Sequence, residues 1–299
     1  MAAIIDGEAV AATLRAELQA CVDTLIEADN RPRLATVLMS TDPASETYVE
    51  MKQQDCEELG IAADDITLAA DAPASTLFET VDELNADPAV NGVLVQAPVP
   101  DHVDYRQVIE QIAPLKDVDA FHPENVGRLV AGYPRYKPCT PHGIQRLLRA
   151  VDADPAGQHA VVVGRSRIVG KPVANLLLQK ATGGNATTTV CHSRTADLSA
   201  QTQQADILIA AAGRPELVDG SMLSEDVVVI DVGINRVEAD TEKGYELVGD
   251  VAFESARKKA RAITPVPGGV GPMTRAMLLY NTVKATSLQA DADVEIELP

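Results

Sequence analysis

A tyrosine and a lysine one helical turn apart form the first pair in this chain whose side chains could do chemistry together. Tyr48 and Lys52 lie in a segment, Pro43 to Gly60, whose pattern predicts a helix. Residues four apart share a helix face, so the pair places an aromatic ring beside an amine. On an average helix such a lysine is only a solvated side chain. The pair therefore needs partners elsewhere in the chain before it indicates a site.

Two polar positions at the ends of predicted elements are the candidate partners. Gln96 closes a buried-looking strand, Gly92 to Gln96, and ligands bind at the carboxyl ends of parallel strands. There Gln96 could hydrogen-bond Lys52, or it could simply cap the strand end. Asp117 and Asp119 lie in a loop at the expected domain junction. Each could cap a turn, or one could accept paired N–H donors from a heterocycle.

A glycine-containing loop predicts an anion site in the second half of the chain. The strand His159 to Val163 runs into residues 164–172, Gly-Arg-Ser-Arg-Ile-Val-Gly-Lys-Pro, and a helix is predicted from Val173 to Gln179. Gly164 permits a tight turn and Gly170 a close approach, while the helix N-terminus favours a phosphate. The loop departs from G-x-G-x-x-G, so an ordinary turn without ligand is the alternative.

A glycine loop between a strand and a helix is typical of nicotinamide dinucleotide sites, and the end of the next predicted strand distinguishes NAD from NADP. NAD-specific folds usually place an acidic residue there to bind the ribose hydroxyls. Here the strand Thr187 to Cys191 is followed by no carboxylate before Asp197. Ser193 and Arg194, with Arg165, could instead hold a 2′-phosphate. The sequence therefore favours NADP over NAD.

Alternating helices and strands predict an α/β fold of two domains with parallel sheets covered by helices. The predicted helices are 6–30, with Asp6 as its N-cap, 43–60, 75–85, 104–112, 173–179 and 272–287. The predicted strands are 33–39, 66–70, 92–96, 159–163, 187–191, 206–210 and 227–231. The proline-rich stretch 113–141 is predicted to be irregular and to hold the domain junction.

The expected division has an N-terminal α/β catalytic domain and a Rossmann-like dinucleotide-binding domain. The first comprises residues 1–140 plus 268–299, because the final helix is expected to return to it, and the second comprises residues 141–267. The acidic tail, 290–299, is expected to be frayed.

The charge balance excludes some partners. A formal net charge of −19, from 9 Lys, 16 Arg, 25 Asp and 19 Glu, disfavours nucleic acid and anionic membranes, which need clustered basic residues. Few lysines and many aspartates indicate salt adaptation, and an ordinary acidic cytosolic protein is the alternative.

Cysteine usage and hydropathy predict a cytoplasmic protein without metal. The four cysteines, at 21, 56, 139 and 191, form no C-x-x-C pair and no cluster with histidine. No basic leader precedes an apolar stretch at the start, and no apolar run approaches the roughly 20 residues that cross a bilayer. Neither export nor a membrane anchor is expected.

Seven segments in order resemble the bifunctional methylenetetrahydrofolate dehydrogenase/methenyltetrahydrofolate cyclohydrolase family, and the resemblance spans nearly the whole chain. They are Asp42-Pro43-Ala44-Ser45 with Tyr48 and Lys52, Val95-Gln96-x-Pro98, Lys116-Asp117-Val118-Asp119, Pro138-Cys139-Thr140-Pro141, the loop at Gly164, Asp231-Val232-Gly233-Ile234-Asn235, and residues 264–274, Thr-Pro-Val-Pro-Gly-Gly-Val-Gly-Pro-Met-Thr.

The resemblance implies an activity and a role for particular side chains. The activity is oxidation of 5,10-methylenetetrahydrofolate with NADP, then hydrolysis to 10-formyltetrahydrofolate by a homodimer. Tyr48 would stack on the folate ring, Lys52 would be catalytic, Gln96 would tune Lys52, and Asp119 would grip the pterin. The residues implied to contact folate, in a cleft between the domains, also include Val95, Pro267, Gly268, Gly269, Val270 and Gly271. The residues implied to contact NADP are Gly164, Arg165, Ser166, Ser193 and Ile234. The missing carboxylate after the second strand adds Arg194 to the NADP contacts.

Three positions depart from the family pattern. Ala120 stands where glycine is usual, Ala97 where a larger apolar residue is usual, and Met39-Ser40-Thr41 where Val-Gly-Asp/Asn is common. An alanine resists backbone conformations that glycine adopts freely, so the geometry of the Asp119 loop is the feature most affected.

Three other functions explain these residues less well. A dehydrogenase acting on a hydroxy or amino acid does not explain Tyr48, Lys52, Gln96 and Asp119 together. A folate- or dinucleotide-sensing protein without turnover would not need every proposed catalytic side chain. A cyclohydrolase without dehydrogenase activity would be expected to lack the NADP contacts.

Overall fold

The computed structural model describes residues 2–241 and 244–290, which divide into two compact units. One unit comprises residues 13–139 and 275–290, and the other comprises residues 2–12 and 140–274. Across the described residues, no helix is long and apolar enough to cross a membrane.

The elements alternate along the chain. The helices are α1 Gly7–Glu27, α2 Pro43–Leu59, α3 Ala74–Ala86, α4 Tyr105–Gln111, α5 Pro123–Ala131, α6 Cys139–Ala150, α7 Gly170–Leu178, α8 Leu198–Thr202, α9 Phe253–Ala256 and α10 Val270–Gln289. The strands are β1 Ala3–Ile4, β2 Arg33–Leu38, β3 Ala62–Thr67, β4 Gly92–Gln96, β5 His159–Val163, β6 Thr187–Cys191, β7 Ile207–Ala210, β8 Val228–Asp231, β9 Asn235–Glu238, β10 Tyr245–Val248 and β11 Ala262–Ile263.

The unit of residues 13–139 and 275–290 is built on a three-stranded parallel sheet in the order β3-β2-β4. The central strand β2 is buried from Leu34 to Leu38, as expected for a parallel strand covered on both faces. Leu38 pairs with Gln96, so the last residue of β4 lies at the carboxyl edge of this sheet. This edge carries the first group of candidate site residues.

The unit of residues 2–12 and 140–274 contains a six-stranded parallel sheet in the order β1-β11-β8-β7-β5-β6. Strands β5, β7 and β8 are almost wholly apolar and buried. The loops after them converge at one edge because all of the strands run the same way. Strands β9 and β10 form a separate antiparallel pair.

Local signals explain several boundaries. Asp6 precedes α1 and accepts the Ala9 N–H at 3.1 Å, which confirms it as the predicted cap. Helix α2 ends at Leu59, where Gly60 takes a left-handed φ of 79°, as glycine after a helix often does.

The prediction of an irregular stretch over 113–141 is wrong, because this stretch contains α5 and the start of α6. Pro123, one of the prolines of this stretch, is at the first turn of α5, where its missing N–H costs nothing. His122 caps the helix by accepting the Glu124 N–H, and Gly132 ends it with a φ of 88°. The prolines therefore mark helix starts as well as loops.

The strand predicted at 66–70 is displaced, since β3 covers Ala62–Thr67. The charged residues Asp64 and Asp65 interrupt the apolar pattern that predicts a strand, so the predicted strand begins after them. Asp64 is at a sheet edge and receives a bidentate pair of hydrogen bonds from Arg33, at 2.6 and 2.9 Å. The two-residue strands β1 and β11 and the β9–β10 pair were not predicted.

The boundaries of the two units also differ from the sequence-based division at residues 140 and 268. Residues 2–12 group with the six-stranded sheet, since Ala3 and Ile4 pair with Ala262 and Ile263 of β11. At the other end of the chain, α10 from Arg275 onward groups with residues 13–139, as expected for a returning final helix. The acidic tail beyond residue 290 lies outside the described residues.

Candidate functional site

A lysine and a glutamine meet at the carboxyl edge of the three-stranded sheet. Lys52 of α2 donates from Nζ to Gln96 Oε1 at 2.7 Å. Gln96 in turn donates from Nε2 to the Ala97 carbonyl at 2.7 Å, which fixes the orientation of the amide and leaves its oxygen for the lysine. Of the two functions left open for Gln96, binding Lys52 is the one that the geometry supports.

Burial sets the proton affinity of Lys52. Desolvation lowers the pKa of this lysine, and the charge of Asp119 acts in the opposite direction without cancelling the effect. Burial correspondingly raises the pKa of Asp119, which the lysine charge opposes. A lysine with a lowered pKa keeps more of its neutral, proton-accepting form at neutral pH than an exposed one. The arrangement suits general-base chemistry.

Cys139 is a member of this cluster to which the sequence assigns no role. Its buried thiol donates to the Val118 carbonyl at 3.5 Å and lies near the Asp119 carboxyl, and burial raises the pKa of the thiol well above the ordinary value. Asn281 of α10 donates to the neighbouring Val118 carbonyl at 2.7 Å and lies 3.6 Å from the thiol sulfur. The signal was present in the Pro138-to-Pro141 motif, but nothing in sequence connects it to Asp119.

A second carboxylate, Asp117, holds the Asp119 loop in shape. It is buried and accepts the His122 N–H at 2.8 Å, the Phe121 N–H at 3.2 Å and the Asn125 side-chain amide at 2.8 Å. Asp117 and Asp119 could each cap a turn or bind a heterocycle, and the contacts of Asp117 show that it stabilises the turn. Ala120 in the same loop takes a φ of 61°, in the left-handed region that an alanine adopts only at a cost.

Tyr48 and Val95 complete the predicted set in this unit. Tyr48 is 36% exposed, one turn before Lys52 on the same helix, so its ring is available to a ligand. Val95 is buried at 1% exposure in β4. Its side chain therefore belongs to the core, and only its backbone lies near the strand end.

The glycine loop of the other unit, residues 164–172, has a backbone that a ligand can approach closely. Gly164 has a φ of 133°, and a Cβ there would collide with the Ala211 carbonyl. A Cβ on Gly170 would collide with the Gly164 carbonyl. Helix α7 begins at Gly170, so its first amides face the bend. This cradle fits the pyrophosphate of a dinucleotide.

Ser166 has an additional structural function in this loop. Its Oγ accepts the N–H groups of Val169 and Gly170 at 3.0 and 3.3 Å, and its carbonyl accepts the Lys171 N–H at 3.0 Å. The serine therefore closes the loop on itself at the start of α7. Its expected contact with NADP stays a prediction.

Basic and hydroxyl side chains are exposed where a 2′-phosphate is expected. Arg165, Ser193 and Arg194 are all exposed, and the turn after β6 is held by His192, whose Nδ1 accepts the Arg194 N–H at 3.1 Å. These residues fit NADP.

The remaining predicted contacts follow strands of the six-stranded sheet. Ile234 lies three residues after the end of β8 and is 52% exposed. Residues 267–271 follow β11 and lead into α10, with Gly268 at a φ of 97°. A Cβ on Gly7 would collide with the Gly269 carbonyl, so the chain passes tightly here. Their contacts with folate or NADP stay predictions.

The cysteines and acidic residues form no metal centre in the described part of the chain. No group of three or more His, Cys, Asp or Glu side chains there is arranged to hold a metal ion. All four cysteines are buried, and none forms a disulfide in the described part of the chain.

Two parallel sheets, one ending in the glycine loop and the other in the Lys52 cluster, define the class: an α/β enzyme that binds a dinucleotide. Residues 5–119 match the model of the tetrahydrofolate dehydrogenase/cyclohydrolase catalytic domain, and residues 138–290 match the model of the NAD(P)-binding domain of the same family. The chain belongs to the tetrahydrofolate dehydrogenase/cyclohydrolase family.

Known relatives match over almost their full length. The bifunctional protein FolD 1 of Haloarcula marismortui is 68% identical over 99% of this chain and 100% of its own. The crystal structure of the bifunctional enzyme FolD from Campylobacter jejuni has a TM-score of 0.91 at 45% identity, covering 97% of this chain and 100% of its own. The Trypanosoma brucei enzyme, solved with NADP cofactor and an inhibitor, has a TM-score of 0.91 at 38% identity, covering 97% and 99%.

Proposed function

We propose that this protein oxidises 5,10-methylenetetrahydrofolate to 5,10-methenyltetrahydrofolate with NADP and hydrolyses the product to 10-formyltetrahydrofolate. The observation that carries the proposal is the hydrogen bond from Lys52 to Gln96 at the sheet edge, on a lysine whose pKa burial lowers. Membership of the family and the glycine loop support the NADP-dependent half.

The oxidation requires positioning more than proton transfer. A hydride leaving the N–CH2–N bridge of the folate generates a cation stabilised by nitrogen, so no base is obligatory. NADP supplies the hydride acceptor when bound. The exposed ring of Tyr48 provides a surface for the folate ring, and the Asp119 carboxyl accepts N–H groups of the pterin. Asp117 keeps Asp119 in place by holding the backbone of the loop.

The hydration requires a base, and Lys52 is the side chain suited to that role. Water adding to the methenyl carbon must lose a proton, which the neutral amine of Lys52 accepts. The carbon–N5 bond of the adduct then breaks as N5 takes up a proton, which leaves the 10-formyl group. Gln96 takes one N–H of the amine and so directs the nitrogen lone pair away from itself. A substrate cation nearby disfavours the ammonium form further. Loss of such a base typically costs about 10²–10⁴-fold in rate.

The decisive experiment is Lys52→Met. We expect hydration of methenyltetrahydrofolate to fall by at least about 10²-fold, while folate binding remains measurable. The matched control is Lys284→Met on α10, which removes another lysine whose pKa burial lowers. The control should keep both activities. Undiminished cyclohydrolase turnover in Lys52→Met would rule out the proposed base.

A direct assay separates an enzyme from a sensor. Purified protein is mixed with methylenetetrahydrofolate and either NADP or NAD, at low and at molar salt. Reduced cofactor and methenyl absorbance are followed together. Signal with NADP supports the proposal. Binding of folate and dinucleotide without turnover under every condition would establish the sensing alternative instead.

Two further expectations belong to this proposal. A cytoplasmic location is supported by four buried thiols, none of which forms a disulfide among the described residues, because such thiols suit a reducing compartment. A homodimer is the family-based expectation, and light scattering of the purified chain tests it: a monomer at micromolar concentration would contradict it.

A further inference from the structure

Two buried carboxylates lie beside the carboxyl edge of the six-stranded sheet and take no part in the chemistry described above. Asp231 is the last residue of β8 and is 4% exposed, and Asp250 follows β10 and is 0% exposed. Among the described residues, no salt bridge to either carboxylate was found. Their hydrogen-bond partners are mostly backbone amides, so both side chains hold the main chain in place.

Asp250 fixes the turn that follows β7. Its Oδ2 accepts the N–H groups of Ala212 at 2.5 Å and Gly213 at 2.9 Å, and its Oδ1 accepts that of Arg214 at 2.9 Å. The Asn235 side chain donates to the same Oδ1 at 2.9 Å. One carboxylate thus ties three successive amides to the start of β9.

Asp231 fixes Asp250 in turn. Its carboxylate accepts the backbone N–H groups of Asp250 at 2.9 Å, Val251 at 2.9 Å and Gly233 at 3.0 Å. Its own N–H donates to Thr264 Oγ1 at 2.7 Å. The backbone at Asp250 is therefore anchored to β8, and the Asp250 side chain points from that anchor into the turn.

Two glycines leave the space that the carboxylates fill. A Cβ on Gly233 would collide with the carboxylate of Asp250, and a Cβ on Gly249 would collide with that of Asp231. A side chain at either glycine would therefore displace the carboxylate that it faces.

The turn held by Asp250 adjoins the dinucleotide cradle. Gly164 packs so closely on the Ala211 carbonyl that a Cβ would collide with it, and the Ala211 N–H donates to the Val163 carbonyl at 2.8 Å. Residues 212–214, which Asp250 binds, continue directly from this contact. Asn235, its fourth donor, follows Ile234, one of the residues predicted to contact NADP.

We propose that Asp250 is a positioning residue of the dinucleotide site: it fixes the 212–214 turn, which continues from the Ala211 carbonyl on which Gly164 packs, and the Ile234–Asn235 segment. Asp250 does not touch the cofactor and acts through these two backbone segments. The proposal rests on the function proposed above, because it assigns Asp250 to the NADP-dependent reaction and not to hydration.

The test compares Asp250→Asn with Asp206→Asn. Asparagine at 250 replaces one acceptor oxygen by an N–H2 group that faces N–H donors, so the turn loses its support. Asp206 is the matched control, since its carboxylate also accepts a backbone N–H, that of His159 at 2.8 Å, but at the amino end of the same sheet. Dissociation constants for NADP come from calorimetry, and both activities are assayed on the same preparations.

We expect Asp250→Asn to weaken NADP binding at least tenfold while cyclohydrolase turnover stays within twofold of wild type. Asp206→Asn should leave the NADP dissociation constant unchanged. A merely structural role would lower both activities together, and that result, or an unaltered NADP dissociation constant in the folded variant, would overturn the proposal.

A milder variant keeps the question open if Asp250→Asn does not fold. Asn235→Ala removes one donor from Asp250 and leaves its three backbone amides in place. It should weaken NADP binding by about threefold to tenfold without changing cyclohydrolase turnover, and unchanged binding would count against the proposal. If wild-type protein itself shows neither activity, the proposed function fails. If wild type is active and both variants match it, only the role of Asp250 fails.

Discussion

The amine of Lys52 lies 2.7 Å from the amide oxygen of Gln96, so the partner that orients this lysine carries no charge. A carboxylate at the same distance would stabilise the ammonium form and raise the lysine pKa. An amide gives the direction of a hydrogen bond without that effect. Burial is then free to lower the pKa of Lys52.

Gln96→Glu is expected to move the pH dependence of hydration upward. The rate depends on neutral Lys52, so it rises with pH through the lysine pKa. A glutamate at 96 raises that pKa, so the rising limb moves to higher pH and the rate at neutral pH falls. Cyclohydrolase pH–rate profiles of variant and wild type measure the shift. The variant should recover much of its rate in alkaline buffer.

Gln53→Glu provides the matched control for this prediction. Gln53 is exposed on the same helix, next to Lys52 in sequence, so the variant adds the same charge on the solvent side. Its profile should overlie that of wild type. A Gln96→Glu limb that stays in place, or moves to lower pH, would show that Lys52 is not the titrating base.

Ala120→Gly is expected to relieve backbone strain in the Asp119 loop. The φ of 61° costs an alanine roughly 1–2 kcal/mol relative to glycine, while the lost methyl group is buried. Ala35→Gly in β2 is the control, because Ala35 is equally buried but lies in a regular strand. Chemical denaturation should show Ala120→Gly more stable than Ala35→Gly by about 1–2 kcal/mol. Equal destabilisation of the two variants would mean that residue 120 is not strained.

Arg194→Ser is expected to reduce the preference for NADP over NAD. Only the side chain changes, so the backbone hydrogen bond from residue 194 to His192 Nδ1 is kept. Loss of one phosphate contact should raise the NADP dissociation constant by about tenfold, equivalent to roughly 1.4 kcal/mol, with little effect on NAD. Arg261→Ser, at an exposed arginine before β11, is the control. A parallel loss of NAD binding would indicate that Arg194 does not read the 2′-phosphate.

Salt is expected to stabilise the folded chain. A formal charge of −19 repels itself over a Debye length of about 30 Å in 0.01 M salt, and of only about 3 Å in 1 M salt. The thermal midpoint should therefore rise between dilute and molar KCl, by about 2–4 °C for each kcal/mol gained. Sucrose at matched osmolality controls for effects other than charge screening. An unchanged midpoint would contradict salt adaptation.

Much of the fold was predictable because its signals are local. Asp6 before α1 and Gly60 after α2 are short-range cap signals, and both lie where the pattern placed them. The prediction of an irregular stretch was wrong around Pro123, because a proline can break a helix or occupy the first turn of one. Strand β3 was displaced because an edge strand tolerates Asp64, whose partner Arg33 is on a neighbouring strand.

The site was predictable only where short sequence patterns carry its residues. The Lys52 and Gln96 pair follows from a helix face and a strand end, and the structure joins the two. The thiol of Cys139 against Asp119, and the turn held by Asp250, depend on contacts between residues far apart in sequence. No periodicity records such contacts.

The interlock of Asp231 and Asp250 with Gly233 and Gly249 restricts how this sequence can change. Each carboxylate occupies the volume that a methyl group on the facing glycine would need. Substituting a glycine first creates a collision, and removing a carboxylate first strands several amides without acceptors. The four positions are therefore accessible to change only in concert, and a redesign of cofactor choice in this protein should leave all four untouched and vary the exposed residues around them.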